Sequence, residues 1–321
     1  MSELATVTEA TRVPTPRGEA RDCPPTAPPG FFSQRRWSWR SGNCAAVDHR
    51  FEVMSEEPFD LGPLMRPVTT PLRAPADGRA LGRYRIVRRR NEAVPYALYY
   101  DYSRLLLSRT PEAVLRFLSW HVNRQAIDHS SVRHVVLHAA AATRAGITLI
   151  LPGDQERGKT TTVAGLLREG YDYVTDEAVA INPRTLCITP FPKALSLDDG
   201  SWPLFPECRP VTAPFETRQW QVPAESLGSR SLRCVVRPPR IIVFPHFVAG
   251  SATRSLTLSK SEAVRELAQA TFHFEDQPAR NLHTLGALVR SATAARLRIG
   301  SLDEAVLAIE RLVSQALMEE L

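Results

Sequence analysis

The residues best suited to chemistry are Gly153-Asp154-Gln155-Glu156-Arg157-Gly158-Lys159-Thr160, which fit G-x-x-x-x-G-K-[ST] without a gap. In that pattern backbone N–H groups wrap a polyphosphate, and the following helix adds the positive end of its dipole. Lys159 is then the residue that reaches the β- and γ-phosphates, and Thr160 the hydroxyl placed on Mg2+. The middle of the loop is unusual, because Gln155, Glu156 and Arg157 stand where small residues are common. Glu156 weakens nucleotide binding if it faces inward; it is harmless if it points outward or if Arg157 compensates it. A second signal comes 17 residues after Lys159, the adjacent acids Asp176-Glu177. Two carboxylates near a phosphate loop suit Mg2+ coordination together with a general base that accepts a hydroxyl proton. His138 lies upstream on an apolar stretch. On spacing alone a lone strand histidine reads as a core or edge residue rather than a site residue.

These residues need elements to hold them. Ile147–Leu151 (ITLIL) predicts a buried strand leading into the loop, and a helix follows from Gly158 to about Glu169, with Gly170 as its stop. Residues 171–175 and 178–181 read as further strands, so the paired acids stand at a strand end. Val135–Leu137, extended by Ala139–Ala142, gives the strand that carries His138. Later come a buried strand at 241–244, an extended segment at 251–258, and three helices over 261–271, 281–296 and 302–319.

Upstream of His134 the pattern differs. Arg83–Val87 alternates as a strand, with Tyr84 and Ile86 on one face, and 96–102 and 104–108 suggest a strand pair. Thr110-Pro111-Glu112 opens a helix reaching about Gln125, with Val114, Leu115, Leu118 and Val122 on one face. Eleven of the 26 prolines fall within residues 1–77. The run Pro24-Pro25-Thr26-Ala27-Pro28-Pro29-Gly30 excludes helix and central strand. Residues 1–77 are therefore expected to form a disordered tail, with 1–53 untranslated if synthesis starts at Met54. Residues 78–133 are expected to form a small basic α+β region, and 134–321 a phosphate-loop domain with C-terminal helices.

The 321 residues carry 40 Lys+Arg against 34 Asp+Glu, a net charge of +6. The excess is local. Residues 78–133 hold 11 basic and 4 acidic residues, whereas 134–321 hold 20 of each. This stretch, which includes Arg88-Arg89-Arg90, is either a solvated arginine face or a docking surface for an anionic partner. Nucleic acid is disfavoured as that partner, because neither interleaved aromatics nor a helix-turn-helix accompanies the charge. Only three of the basic residues are lysines: Lys159, Lys193 and Lys260. A lysine kept in so arginine-rich a chain suggests a role that a guanidinium cannot fill; Lys193 reads equally as a ligand for a transferred phosphate or a substrate acid and as a surface lysine. The five cysteines contain no C-x-x-C and point to free thiols rather than a disulfide framework or zinc site. No apolar run approaches the roughly 20 residues that span a bilayer. The N-terminal MSELATVTEA lacks the features of a secretory signal, so a cytoplasmic protein without membrane association is expected.

Leu137-His138-Ala139, the loop 149–160 and Tyr173-Val174-Thr175-Asp176-Glu177 together resemble the catalytic domain of HPr kinase/phosphorylase. They are most similar to the HPr kinase-related serine kinases. Pro190-Phe191-Pro192-Lys193-Ala194-Leu195-Ser196-Leu197 and Arg240–Pro245 add to the likeness, which covers about residues 80–275. The resemblance implies an α/β fold, namely a P-loop kinase domain of the HPr kinase C-terminal/phosphoenolpyruvate carboxykinase-like type. It implies ATP and Mg2+ at residues 153–161, held by Gly153, Asp154, Arg157, Gly158, Lys159, Thr160 and Thr161. Asp176 is then the base toward a serine hydroxyl, Glu177 joins Thr160 at the metal, and His138 becomes a catalytic-site residue. The sequence departs from the family in carrying Glu177 where the parent enzymes have Asp. It also lacks a counterpart of the glycine-rich signature used in dephosphorylation, which weighs against phosphorylase activity.

The expected function is thus an ATP- and Mg2+-dependent kinase acting on serine of a protein or peptide, a ribosomal precursor peptide among the candidates. The alternative is a non-catalytic ATP-binding regulatory module. Homo-oligomerisation is left open.

Overall fold

A computed structural model of the chain describes residues 23–56, 69–74, 80, 82–89, 93–209 and 219–319. It is a mixed α/β structure that divides into two compact units, Met1–Gln125 and Ala126–Leu321.

In the first unit Trp39–Ala46 (β1) and His49–Ser55 (β2) form an antiparallel hairpin. β2 runs parallel to Gly82–Arg88 (β3), which is followed by the antiparallel strands Tyr96–Tyr100 (β4) and Ser103–Ser108 (β5). Phe51, Val53 and Ser55 alternate inward along β2, as a half-buried strand requires. The Pro-rich segment from Cys23 forms neither helix nor named strand, but it packs against the sheet. Phe32 meets Tyr99 edge-on at 5.3 Å, the Tyr99 hydroxyl donates to Pro24 O at 2.8 Å, and the Arg85 guanidinium lies 4.4 Å above the Phe32 ring.

Disorder over residues 1–77 is therefore corrected for residues 23–56. Two β-strands there bury Cys44, Phe51, Val53 and Met54, enough apolar surface to offset their ordering. A chain starting at Met54 would lack β1 and most of β2. Residues 1–22, 57–68 and 75–77 of the expected tail lie outside the described residues. The basic stretch is also only partly a surface. Arg85 donates to Asp101 O at 2.7 Å and Arg89 to Val94 O at 3.1 Å, and both side chains are buried. Phe32→Ala is expected to destabilise the first unit by about 3–5 kcal/mol, the usual cost of removing a buried aromatic ring. An unchanged melting transition would show that the 23–37 segment does not belong to its core.

Helix α1 (Pro111–Ser131) starts as expected, with Thr110 Oγ1 accepting from the Ala113 N–H at 3.4 Å. It runs past Gln125, because Ala126 and Ile127 continue its buried stripe. The boundary between units thus falls inside this helix rather than at residues 133/134.

The second unit is built on one sheet. Its strands are Val135–Arg144 (β6), Ile147–Pro152 (β7), Asp172–Thr175 (β8), Ala178–Ile181 (β9), Ile188–Thr189 (β10), Pro239–Phe247 (β13), Arg254–Thr257 (β14) and Thr293–Ile299 (β15). The order is β10-β9-β6-β7-β13-β15-β14, with β8 also paired to β6. Strands β7, β13 and β15 are parallel; β6 and β14 run against them. Leu195–Asp198 (β11) and Gln219–Val222 (β12) form a separate antiparallel pair.

Residues alternate across the sheet. Leu149 and Leu151 of β7 pack with Val163, Leu166 and Leu167 of α2 (Lys159–Arg168) and with Val306 and Ile309 of α5 (Leu302–Glu319). Ile150 faces the other way, toward Ala263 and Leu267 of α3 (Lys260–Gln269) and Leu285 and Leu288 of α4 (Pro278–Arg290). A sheet covered by helices on both faces explains why ITLIL reads as a continuous apolar run. The expected helix over 281–296 is corrected: it ends at Arg290, and residues 293–299 are the strand β15. At the end of β15, a Cβ on Gly300 would stand 1.7 Å from the Ser251 backbone oxygen. Gly300→Ala is therefore expected to cost at least about 1–3 kcal/mol, since backbone rather than a flexible side chain must move. Wild-type thermal stability in that variant would contradict the packing of β15.

Candidate functional site

Topology brings the two chemical signals to one edge. β8 and β7 both run antiparallel to β6, so their carboxyl ends lie on the same side of the sheet. Gly153 follows the last residue of β7, and Asp176 follows the last residue of β8. The register also sets Ala139 opposite Pro152, so that the Gly153 N–H donates to His138 O at 3.1 Å. Crevices at the carboxyl ends of strands in open α/β sheets are where such folds bind ligands.

The loop closes onto α2 through Gly158, which takes a left-handed φ of 88° as the helix N-cap. Glu156 also has a positive φ, 60°, and its side chain is exposed, so it points outward. Arg157 is drawn to His246, with 2.7 Å between the guanidinium and Nδ1, and lies 3.9 Å from Asp154. Lys159 is buried and folded back on its own loop, donating to Asp154 O at 2.5 Å. Burial lowers its pKa to about 8, against the pull of Glu177, Asp154 and Asp176. An amine held among loop carbonyl and carboxylates, with little water, gains when a polyphosphate arrives. At the far end α2 stops as expected: Gly170 and Tyr171 donate to Leu167 O and Leu166 O, the αL closure of a Schellman turn.

The acid pair is fixed by its own turn, where Thr175 Oγ1 accepts from the Glu177 and Ala178 N–H groups at 3.3 and 3.4 Å. Asp176 is 3% exposed, and both of its oxygens are in use. Oδ1 accepts from the Tyr173 hydroxyl at 2.8 Å and forms an ion pair with Lys193 Nζ, also at 2.8 Å. Oδ2 accepts from the Ser196 N–H at 3.1 Å and from Thr160 Oγ1 at 3.4 Å. The contact with Thr160 joins the paired acids to the phosphate loop. Tyr173 is held neutral, its pKa pushed well up by burial and then by the Asp176 charge. Glu177 lies 3.9 Å from Lys193, and its side chain keeps 31% of its surface. Its pKa is raised, first by loss of hydration and then by Asp176, with Lys193 and Lys159 opposing.

His138 is half-buried, with its ring 5.5 Å from that of Phe272. Burial first, and the Lys159 charge second, lower its pKa to about 4, so it is a neutral imidazole beside the loop lysine. Thr161 turns elsewhere: its hydroxyl meets Ser201 Oγ at 2.7 Å, and Ser201 in turn donates to Asp198 at 3.0 Å.

The structure therefore brings Lys159, Thr160, Asp176, Glu177 and His138 to one place. It adds residues to which sequence reasoning gave no role: Tyr173 and Ser196, which stand within the segments that carry the resemblance, and His246, which had no signal. Lys193, read equally as a phosphate or acid ligand and as a surface lysine, is buried at the site. Among the described residues no group of three or more His, Cys, Asp or Glu is placed to hold a metal ion. The donor set present, one hydroxyl beside two carboxylates, matches the way Mg2+ is held by one or two protein oxygens together with substrate phosphates and water. No helix among the described residues is long and apolar enough to cross a membrane. No protein-family model matches the chain, and no curated protein sequence matches it.

Proposed function

We propose that the second unit is an ATP- and Mg2+-dependent kinase that transfers the γ-phosphoryl group to a serine hydroxyl of a protein or peptide. The observation that carries this reading is the contact of Thr160, on the phosphate loop, with Asp176, a buried carboxylate at the adjoining strand end. The loop N–H groups and Lys159 bind the β- and γ-phosphates, as a helix N-terminus with a lysine is suited to do. Thr160 and Glu177 hold Mg2+, which supplies charge neutralisation on the phosphates. Asp176 takes the proton of the acceptor hydroxyl as the serine oxygen bonds to the γ-phosphorus. The bond to the β-phosphate oxygen breaks, and its electron pair leaves with ADP. Neutral His138 adds no second positive charge that would compete with Lys159. The P-loop kinase fold of the HPr kinase type belongs to the same proposal; strand–loop–helix geometry and a sheet covered on both faces support it.

Incubation with γ-labelled ATP, Mg2+ and serine-containing peptides tests the reading. Label transfer to peptide in the wild type and its loss in Lys159→Ala is the expected result. Nucleotide binding without transfer to any acceptor would favour the regulatory-module alternative, and no nucleotide binding would remove both.

A further inference from the structure

Both oxygens of Asp176 are engaged. A carboxylate offers about four lone-pair sites; Tyr173, Ser196 and Thr160 donate to three of them, and the Lys193 ammonium crowds Oδ1 in an ion pair at 2.8 Å. An acceptor hydroxyl can donate to Asp176 only after one of these partners withdraws. Three of them are poorly able to move. The Ser196 donor is a backbone N–H on β11, Tyr173 is fully buried in β8, and the Thr160 hydroxyl is a short side chain in the first turn of α2. Lys193 differs: its ammonium is a compact charge on a flexible four-carbon stem. Its other contacts are neutral oxygens, Ala194 O at 3.1 Å and Ser196 Oγ at 3.3 Å, with the Glu177 carboxylate more distant at 3.9 Å.

Lys193 is also placed where a phosphate would compete for it. It and Thr160 sit on opposite oxygens of one carboxylate, so Asp176 bridges the ammonium to the first turn of the phosphate-loop helix. A buried ion pair is weak evidence for stability, because desolvation offsets much of the attraction. Such a pair beside a phosphate loop is better explained by function. The chain uses lysine at only three of 40 basic positions, and two of the three meet at this site.

We propose that Lys193 is a terminal-phosphate-binding residue, held on Asp176 while no nucleotide is bound and transferred to the γ-phosphate of a bound nucleoside triphosphate. The transfer exposes one oxygen of Asp176 to the acceptor hydroxyl. It couples the presence of a transferable phosphoryl group to the availability of the base, so a bound diphosphate leaves Asp176 closed. The proposal rests on the kinase reading above and adds what the site distinguishes: triphosphate from diphosphate.

The test compares binding of ADP and of a non-hydrolysable β,γ-imido ATP analogue, each with Mg2+, by titration calorimetry. Wild-type protein is expected to bind the triphosphate analogue more tightly than ADP. Lys193→Met is expected to lose about tenfold to a hundredfold of affinity for the analogue, the worth of one charge-assisted contact, and to keep its ADP affinity within about twofold. Because Lys193→Met leaves Asp176 buried without its counter-ion, the double variant Lys193→Met/Asp176→Asn, which removes both charges, is measured beside it. The same loss of triphosphate preference is expected there. Retention of the full preference in either variant overturns the proposal and leaves the kinase reading standing. Failure of wild-type protein to bind either nucleotide overturns both.

Discussion

Lys159→Ala is expected to lower affinity for ATP by roughly a hundredfold or more and to abolish phosphoryl transfer. Lys159 is the loop's own cation, and it is stored at short range on Asp154 O, buried among Glu177, Asp154 and Asp176. Its desolvation is already met in the folded protein, so a polyphosphate receives a charge that needs little further rearrangement. Charge-assisted hydrogen bonds are worth about 1.5–3 kcal/mol each, and one ammonium makes more than one of them to a β,γ-phosphate pair. The fold should survive, because α2 is anchored by Val163, Leu166 and Leu167 rather than by its first residue. Calorimetric titration with ATP and Mg2+ checks this, alongside a melting curve. Wild-type affinity in Lys159→Ala would mean that the loop does not bind phosphate.

Asp176→Asn separates binding from chemistry. The amide is nearly the size of the carboxylate but cannot take a proton, and transfer is expected to fall by about 10²–10⁴, the usual contribution of a general base. Affinity for ATP should stay within several-fold. Some stability is lost as well. With its oxygen toward Tyr173 and Lys193, the Asn amide turns N–H groups toward the Ser196 N–H, leaving a buried donor without an acceptor at a cost of about 1–3 kcal/mol. Single-turnover transfer with bound nucleotide confirmed by calorimetry distinguishes the two effects. Undiminished transfer would remove Asp176 from the role of base.

Much of the second unit was legible because its signals are local. ITLIL, the glycines of the loop, the Gly170 stop and the acids after Thr175 each specify their own element, and the parallel relation of β7 and β8 then joins them. Lys193 was legible only as one of two equal readings, a phosphate or acid ligand or a surface lysine. Its position depends on a loop that returns to the sheet, where Phe191 N donates to Val174 O and Ser196 N to Asp176, and no local pattern encodes that return. β15 was misread for a related reason. Ala294-Ala295-Arg296-Leu297 are strong helix formers, but the segment is placed between β13 and β14 and buries Ala295, Leu297 and Ile299 in strand alternation. The first hairpin was hidden by its neighbourhood. Prolines upstream suggested disorder, while the inward residues Phe51 and Val53 of β2 carried a strand signal too short to outweigh them.

The arginine-rich stretch also changes meaning. Arg85 and Arg89 are structural cations inside the first unit, and residues such as Arg109 and Arg116 are exposed. Any docking role belongs to the exposed ones.

The central claim is that Lys159, Thr160 and Asp176 form one phosphoryl-transfer site. The most direct test is transfer of label from γ-labelled ATP to a serine peptide by wild-type protein, Lys159→Ala and Asp176→Asn, with ATP binding measured on the same samples. The account predicts binding and transfer in the wild type, neither in Lys159→Ala, and binding without transfer in Asp176→Asn. Equal transfer by Asp176→Asn and wild type, or equal binding by Lys159→Ala and wild type, would contradict it.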